Sequence, residues 1–243
     1  MSMTENPTPS FHGFGPEAFA WFAGLEADNS KTYFSAHRDT YQGEVRGALE
    51  AMLDELAAEL GGRPKLFRQN RDIRFSSDKS PYKTTTYGLI LERPDSLGAL
   101  YAQVSAQGLF AGSGYHGLAA DQLGRFREAI LDDVAGTELE RRIAAARAAG
   151  LETFGEALKT APRGYPRDHP RVHLLRHKSL IAGRRLPHRA EGIPRAAALD
   201  HARATWAACA PLGAWLDTRV GPSTEPAPTR YRGRTGDRAE NRS

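Results

Sequence analysis

The 243-residue chain holds one cysteine, Cys209. No intrachain disulfide can form, and a reducing, cytoplasmic compartment is the natural expectation. Lysine is scarce as well: of 33 basic residues six are lysine and 27 arginine. That bias, with abundant alanine and glycine, is what a GC-rich coding sequence produces, so arginine number alone says little about anion binding. No apolar run approaches the roughly 20 residues a membrane-crossing helix needs, and no membrane partner is expected. The opening MSMTENPTPSFHG has no basic stretch followed by an apolar one, unlike a secretory leader. A G-x-S-x-G nucleophile turn is missing, as is a Walker lysine after a glycine loop.

Charge of one sign is also in short supply. The net charge is +4. Gly221–Ser243 holds five arginines and three acids, which accounts for +2 of it. The body carries about +2, too little for an overall electrostatic footprint on nucleic acid. Any basic patch must be local.

What is present suits one α+β domain with a mainly antiparallel sheet flanked by helices, over residues 11–220. Residues 1–10 are polar and proline-bearing and read as a disordered lead-in; residues 221–243, rich in Arg, Pro and Gly, read as a disordered tail. Pro16 marks a helix start, with Phe19, Phe22 and Leu25 on one face. A long helix is expected from Lys31 to about Leu60, after an N-cap among Asp28–Ser30 and before Gly61–Gly62. Phe67, Ile73 and Phe75 share one parity of an expected strand, and Arg68, Asn70, Asp72 and Arg74 the other. Further strands are expected over Thr84–Leu91 and over Tyr101–Phe110, the latter folded at Ala106–Gly108. A glycine loop (Gly112, Gly114, Gly117) and helices over 119–131 and 137–149 follow. A turn or strand is expected at 155–159, a helix from Asp168 to Lys178, an edge strand over 179–186, and a last helix over 199–216 carrying Trp206 and Trp215.

The densest chemistry lies in KLFRQNRDIRFSSDKSPYK, residues 65–83. Arg68, Asn70, Arg71, Asp72, Arg74, Phe75, Ser76, Asp78, Lys79, Ser80, Pro81, Tyr82 and Lys83 resemble the signature of domain-of-unknown-function family 2461. The Phe11–Phe14 opening, the Asn29–Tyr41 run, the Gly112/Gly114 pair, Ala161–Tyr165 with His169–Pro170, and Lys178–Ser179 resemble its other segments. Ser30 and Tyr33 depart from its usual Asn and Trp. The resemblance implies a shared fold unit and polar site; it implies no reaction, cofactor or catalytic residue.

From the residues themselves, a face of Arg68, Asn70, Asp72 and Arg74 has two readings. One is a guanidinium pair oriented by Asp72, with Asn70 supplying amide contacts, for a carboxylate or phosphate. The other is a structural ion-pair network. Lys83, at a strand start, is a better-directed cation than Lys79. Arg163, beside Gly164, could close the site from across the fold, or simply decorate a turn. His37 is the candidate proton-transfer group, with Asp72 beside it as the other catalytic candidate. His169, His173 and His177 recur every four residues, but no acid or cysteine completes a metal set, so neither a metal nor a cofactor is expected. The expected partner is a small anionic ligand, and the residues do not decide between a binding protein and an enzyme. A nucleic acid held by the basic cluster and tail is the disfavoured alternative, and a ligand-free scaffold the third. Nothing in the sequence bears on oligomeric state.

Overall fold

A computed structural model describes residues 10–225 except Phe75. In chain order the elements are β1 (Gly13–Phe14), α1 (Pro16–Ala27), α2 (Lys31–Ala36), α3 (Arg38–Thr40), a π-helical segment (Tyr41–Gly47), α4 (Ala48–Leu60), β2 (Arg63–Leu66), β3 (Thr85–Leu91), β4 (Ala99–Ser105), β5 (Gly108–Tyr115), α5 (Ala120–Leu131), α6 (Asp133–Ala148), β6 (Glu152–Phe154), α7 (Val172–Leu175), β7 (Leu180–Leu186), β8 (Ile193–Pro194) and α8 (Arg195–Arg219). The α+β expectation holds. Six strands form an antiparallel sheet in the order β2-β3-β4-β5-β7-β6, and β1 pairs with β8 beside it.

Apolar alternation builds the sheet. Thr86, Gly88 and Ile90 of β3 and Leu100, Ala102 and Val104 of β4 are buried. This face meets α4, which packs on β2, β3 and β4, and α8, which packs on β5 and β7. From α4 come Leu49, Met52, Leu53 and Leu56, all fully buried. Each such side chain contributes about 1.5–3 kcal/mol on leaving water. The alternate residues, among them Tyr87, Leu89, Tyr101 and Gln103, are only half-buried and face the other way.

Several expected elements come out differently. The helix expected over 31–60 breaks at His37 (φ −113°) and passes through the π-helical segment. A Cβ on Gly47 would stand 2.8 Å from the Gln42 carbonyl oxygen, so glycine is what lets the wide turn close. Gly112 and Gly114 are not in a loop; they lie within β5. The helix expected over 168–178 is a single turn, Val172–Leu175, so His169 and His177 fall outside it. The strand over 180–186 is internal, because Glu152–Phe154 pairs outside it.

The largest correction concerns the signature. Its strand ends at Leu66, and residues 67–83 form a loop between β2 and β3. Arg68, Asn70, Asp72 and Arg74 therefore do not line one strand face: the ladder with β3 breaks after Phe67, resumes in a shifted register only at the Asn70–Tyr82 bridge, and among the described residues has no pair beyond Arg71. Phe75, expected on the apolar side, lies outside the described residues, as do residues 1–9 and 226–243. Residues 221–225 are described, and they are bonded down. Arg125 donates from Nη2 to the Pro222 carbonyl at 2.7 Å, Gln122 donates to that of Gly221 at 2.8 Å, and Asp121 accepts from the Thr224 amide at 2.8 Å.

Candidate functional site

The signature loop is sewn together mostly by its own residues. Gln69 is buried; it accepts from Thr86 Oγ1 at 2.7 Å and donates to the Lys83 carbonyl. Asn29 clamps the Tyr82 backbone from both sides, each bond 3.1 Å. Tyr82 itself is buried, stacked on Phe34 with centroids 4.2 Å apart. Arg71 pairs with Asp78, which also accepts from the Ser80 amide at 2.9 Å and the Ser80 hydroxyl at 2.7 Å. The Ser80 bonds and then Arg71 hold the Asp78 carboxyl well below the usual carboxylate range. Such local side-chain-to-backbone bonds fix loop shape.

The nominated residues separate. Arg74 donates to Asp72 from Nε at 2.9 Å and from Nη2 at 2.6 Å. Both lie at the surface, the Arg74 side chain 76% exposed. The Arg74 hydrogen bonds lower the Asp72 carboxyl to about 2. Arg68 and Asn70 are exposed, Asn70 bridging to Tyr82. His37 is exposed, stacked on Tyr33 at 4.2 Å, with Nδ1 2.9 Å from the Tyr33 carbonyl oxygen. Arg163 sits exposed in the turn at 162–165. None of these six lines the cleft described next. Lys83 does approach it, its ammonium 5.0 Å from the centre of the Tyr87 ring.

The sheet face turned away from α4 and α8 opens into a cleft of about 1070 Å³. The strand register lays its floor in three rows. The first runs Tyr87, Gln103, Phe110, Arg185. The second runs Lys65, Leu89, Tyr101, Gly112, Gly183, Glu152. In the third, Ala99, Gly114, Ile181 and Phe154 pair in turn, and Leu91 lies beyond Leu89 on β3. Aromatic rings cross the strands in a ladder: Phe67 to Tyr87 (4.8 Å), Tyr87 to Tyr101 (5.6 Å), Tyr101 to Phe110 (6.0 Å) and Phe110 to Phe154 (5.7 Å). Cross-strand aromatic pairs of this kind rigidify a sheet face. Gly112 and Gly183 let the Phe110 ring lie over the strands, since a Cβ on either would meet it at 3.0 and 2.4 Å.

The first row gathers charge. Arg185 starts on β7, yet its Nη1 donates to Ser105 Oγ on β4 at 3.1 Å. The guanidinium thus reaches back over β5, 5.8 Å from the centre of the Phe110 ring. Tyr101 donates its hydroxyl to Gln103 Oε1 at 2.5 Å, which leaves the Gln103 amide NH2 as its remaining donor group. Burial raises the Tyr101 phenol, so it stays protonated as that donor. Burial, helped by the Arg68 charge, lowers the Lys83 ammonium. Lys83 and Arg185 have no carboxylate partner among the described residues. The acid on this face is Glu152, in the second row at the far edge strand.

The family model described as a conserved hypothetical protein (DUF2461) matches residues 17–215. The chain belongs to this family. The match covers the signature loop and the strands that floor the cleft, and stops inside α8. A comparison with curated proteins finds no match. Tyr87, Tyr101, Gln103, Phe110, Phe154 and Arg185 were not among the sequence candidates. A signal existed for the first three, which fall on one parity of two expected strands; nothing in the sequence marked Arg185 as reaching two strands across.

Proposed function

We propose that this family member binds a small organic anion, carboxylate or phosphate, on the open sheet face. Arg185, the Gln103 amide and Lys83 would be its ligands. The observation that carries the reading is the pair of cations without carboxylate partners, standing over cleft-lining rings. A guanidinium that must keep company with aromatic rings and a neutral hydroxyl is well placed to gain a charge-assisted bond from an incoming anion. The ion-paired arginines of the signature loop would first have to give up a partner. Phe67, Tyr87 and Tyr101 stack on one another, so the faces they turn to each other are closed to a base. Stacking of single-stranded bases, which needs free ring faces, gains nothing from them.

Thermal-shift screening and calorimetry with carboxylates and phosphate monoesters test the reading. Arg185→Gln should weaken whichever anion binds by roughly ten- to a hundredfold, the value of a charged hydrogen bond. Undiminished affinity in that variant, or no binding of any anion in the panel, would sink it.

A further inference from the structure

We infer that the ligand is amphipathic: a monocarboxylate with an extended hydrocarbon body, such as a medium- or long-chain fatty acid. This rests on the anion-binding reading and adds the ligand's other half. Successive rows of the floor lie two residues apart along each strand, about 6.7 Å, and their character changes in one direction. Arg185 and Gln103 stand in the first row. Two rows on, the floor is Leu91, Ala99, Ile181 and Phe154. About 13 Å of sheet therefore separates the cationic row from the apolar one.

The apolar end is also where the surface is out of keeping with water. Leu97 is 58% exposed and Phe154 40% exposed. Of the large hydrophobics exposed among the described residues, only Val134 lies elsewhere. Contiguous apolar surface rimmed by polar groups marks a surface that something covers. Here the rim is specific: His116 and Gln122 beside the apolar end, Glu152 on the outer strand. A carboxylate placed at the apolar end or beside Glu152 would lose solvation or meet like charge, whereas at the first row it meets Arg185. Of the other bases in these rows, Lys65 turns its ammonium toward Phe67, 5.3 Å from the ring centre, and Arg63, beside Leu91 at the sheet edge, is paired with Glu92. Charge and apolarity together favour one orientation, head toward Arg185 and tail toward Phe154. A short or wholly polar anion would use the first row and leave the apolar row wet.

Calorimetry with butanoate, octanoate and dodecanoate on the full chain decides the matter. Affinity should rise by about fourfold for each methylene that enters the cleft, the equivalent of about 0.8 kcal/mol per buried CH2. Leu97→Ser and Phe154→Ser change exposed positions and should flatten that gradient while leaving butanoate unchanged. Octanol should bind more weakly than octanoate in the parent chain and equally well in parent and Arg185→Gln. If butanoate binds as tightly as dodecanoate, the hydrocarbon half is wrong and the anion site stands. If none of the three acids and no other anion binds, both fall.

Discussion

The signature loop and the open sheet face solve opposite problems with similar residues. The loop, residues 67–83, is crowded with charge, yet its best-placed charges are taken: Arg71 by Asp78, Arg74 by Asp72. The sheet face has few charges, and Lys83 and Arg185 stand over rings without a carboxylate partner among the described residues. The difference teaches that density of charge in a sequence is a poor guide to a binding site. A guanidinium already holding a carboxylate is satisfied. A guanidinium on an aromatic floor has its strongest bond still to make.

The comparison breaks most visibly at Gln69. If the loop is architecture, Gln69→Ala should cost about 1–2 kcal/mol, because it removes the acceptor of the buried Thr86 hydroxyl, which keeps only its bond with Tyr41, and the tie to the Lys83 carbonyl. Urea unfolding measures it directly. Affinity for an anion that depends on Arg185 should be little changed. A stable Gln69→Ala protein that has lost anion affinity would return the site to the loop.

The elements themselves were largely legible. Strands over Thr84–Leu91 and around Ala106–Gly108, the helix at 119–131 and the final helix follow from apolar periodicity and turn residues, and they occur within a few residues of expectation. Residues 67–74 misled because Arg, Asn, Asp and Arg alternate there for a different reason. Asn70 and Arg71 make backbone contacts across to Tyr82 and Pro81, and Asp72 and Arg74 bind each other two residues apart. Parity in one segment cannot say where the partner's register shifts or where the pairing stops. The cleft was half legible. Tyr87 and Leu89 share a parity, as do Tyr101 and Gln103, but the sequence does not say that α4 and α8 cover the opposite face. Phe154 escaped because its strand has three residues, too few for a period.

A smaller effect separates the two cations. Lys83 has its ammonium lowered, by burial first and by Arg68 second. It therefore loses its charge at lower pH than an ordinary lysine does. Anion affinity should fall as pH rises through that lowered value, while the Arg185 share stays constant because guanidinium does not titrate there. Between about pH 7 and pH 10 the parent should weaken and Lys83→Gln should be flat. Equal slopes in the two proteins would remove Lys83 from the site.

The smallest effect is expected at Arg74, the residue that looks most like an anion ligand in the sequence. Its Nε and Nη2 already hold both oxygens of Asp72, and its side chain is 76% exposed. A bidentate pair at the surface is largely screened by water and salt. Arg74→Ala should lower the unfolding midpoint only slightly near neutral pH and leave anion affinity unchanged. That small difference should close in acid. The Asp72 carboxyl is lowered to about 2 by Arg74, so the pair's contribution is present above the ordinary carboxylate value and is lost as pH falls toward 2. The variant's acid-unfolding curve should therefore meet the parent's below that point. Loss of anion binding in Arg74→Ala at neutral pH would show that the loop opens its ion pair to bind, and the contrast between a satisfied loop and an unsatisfied sheet face would fail.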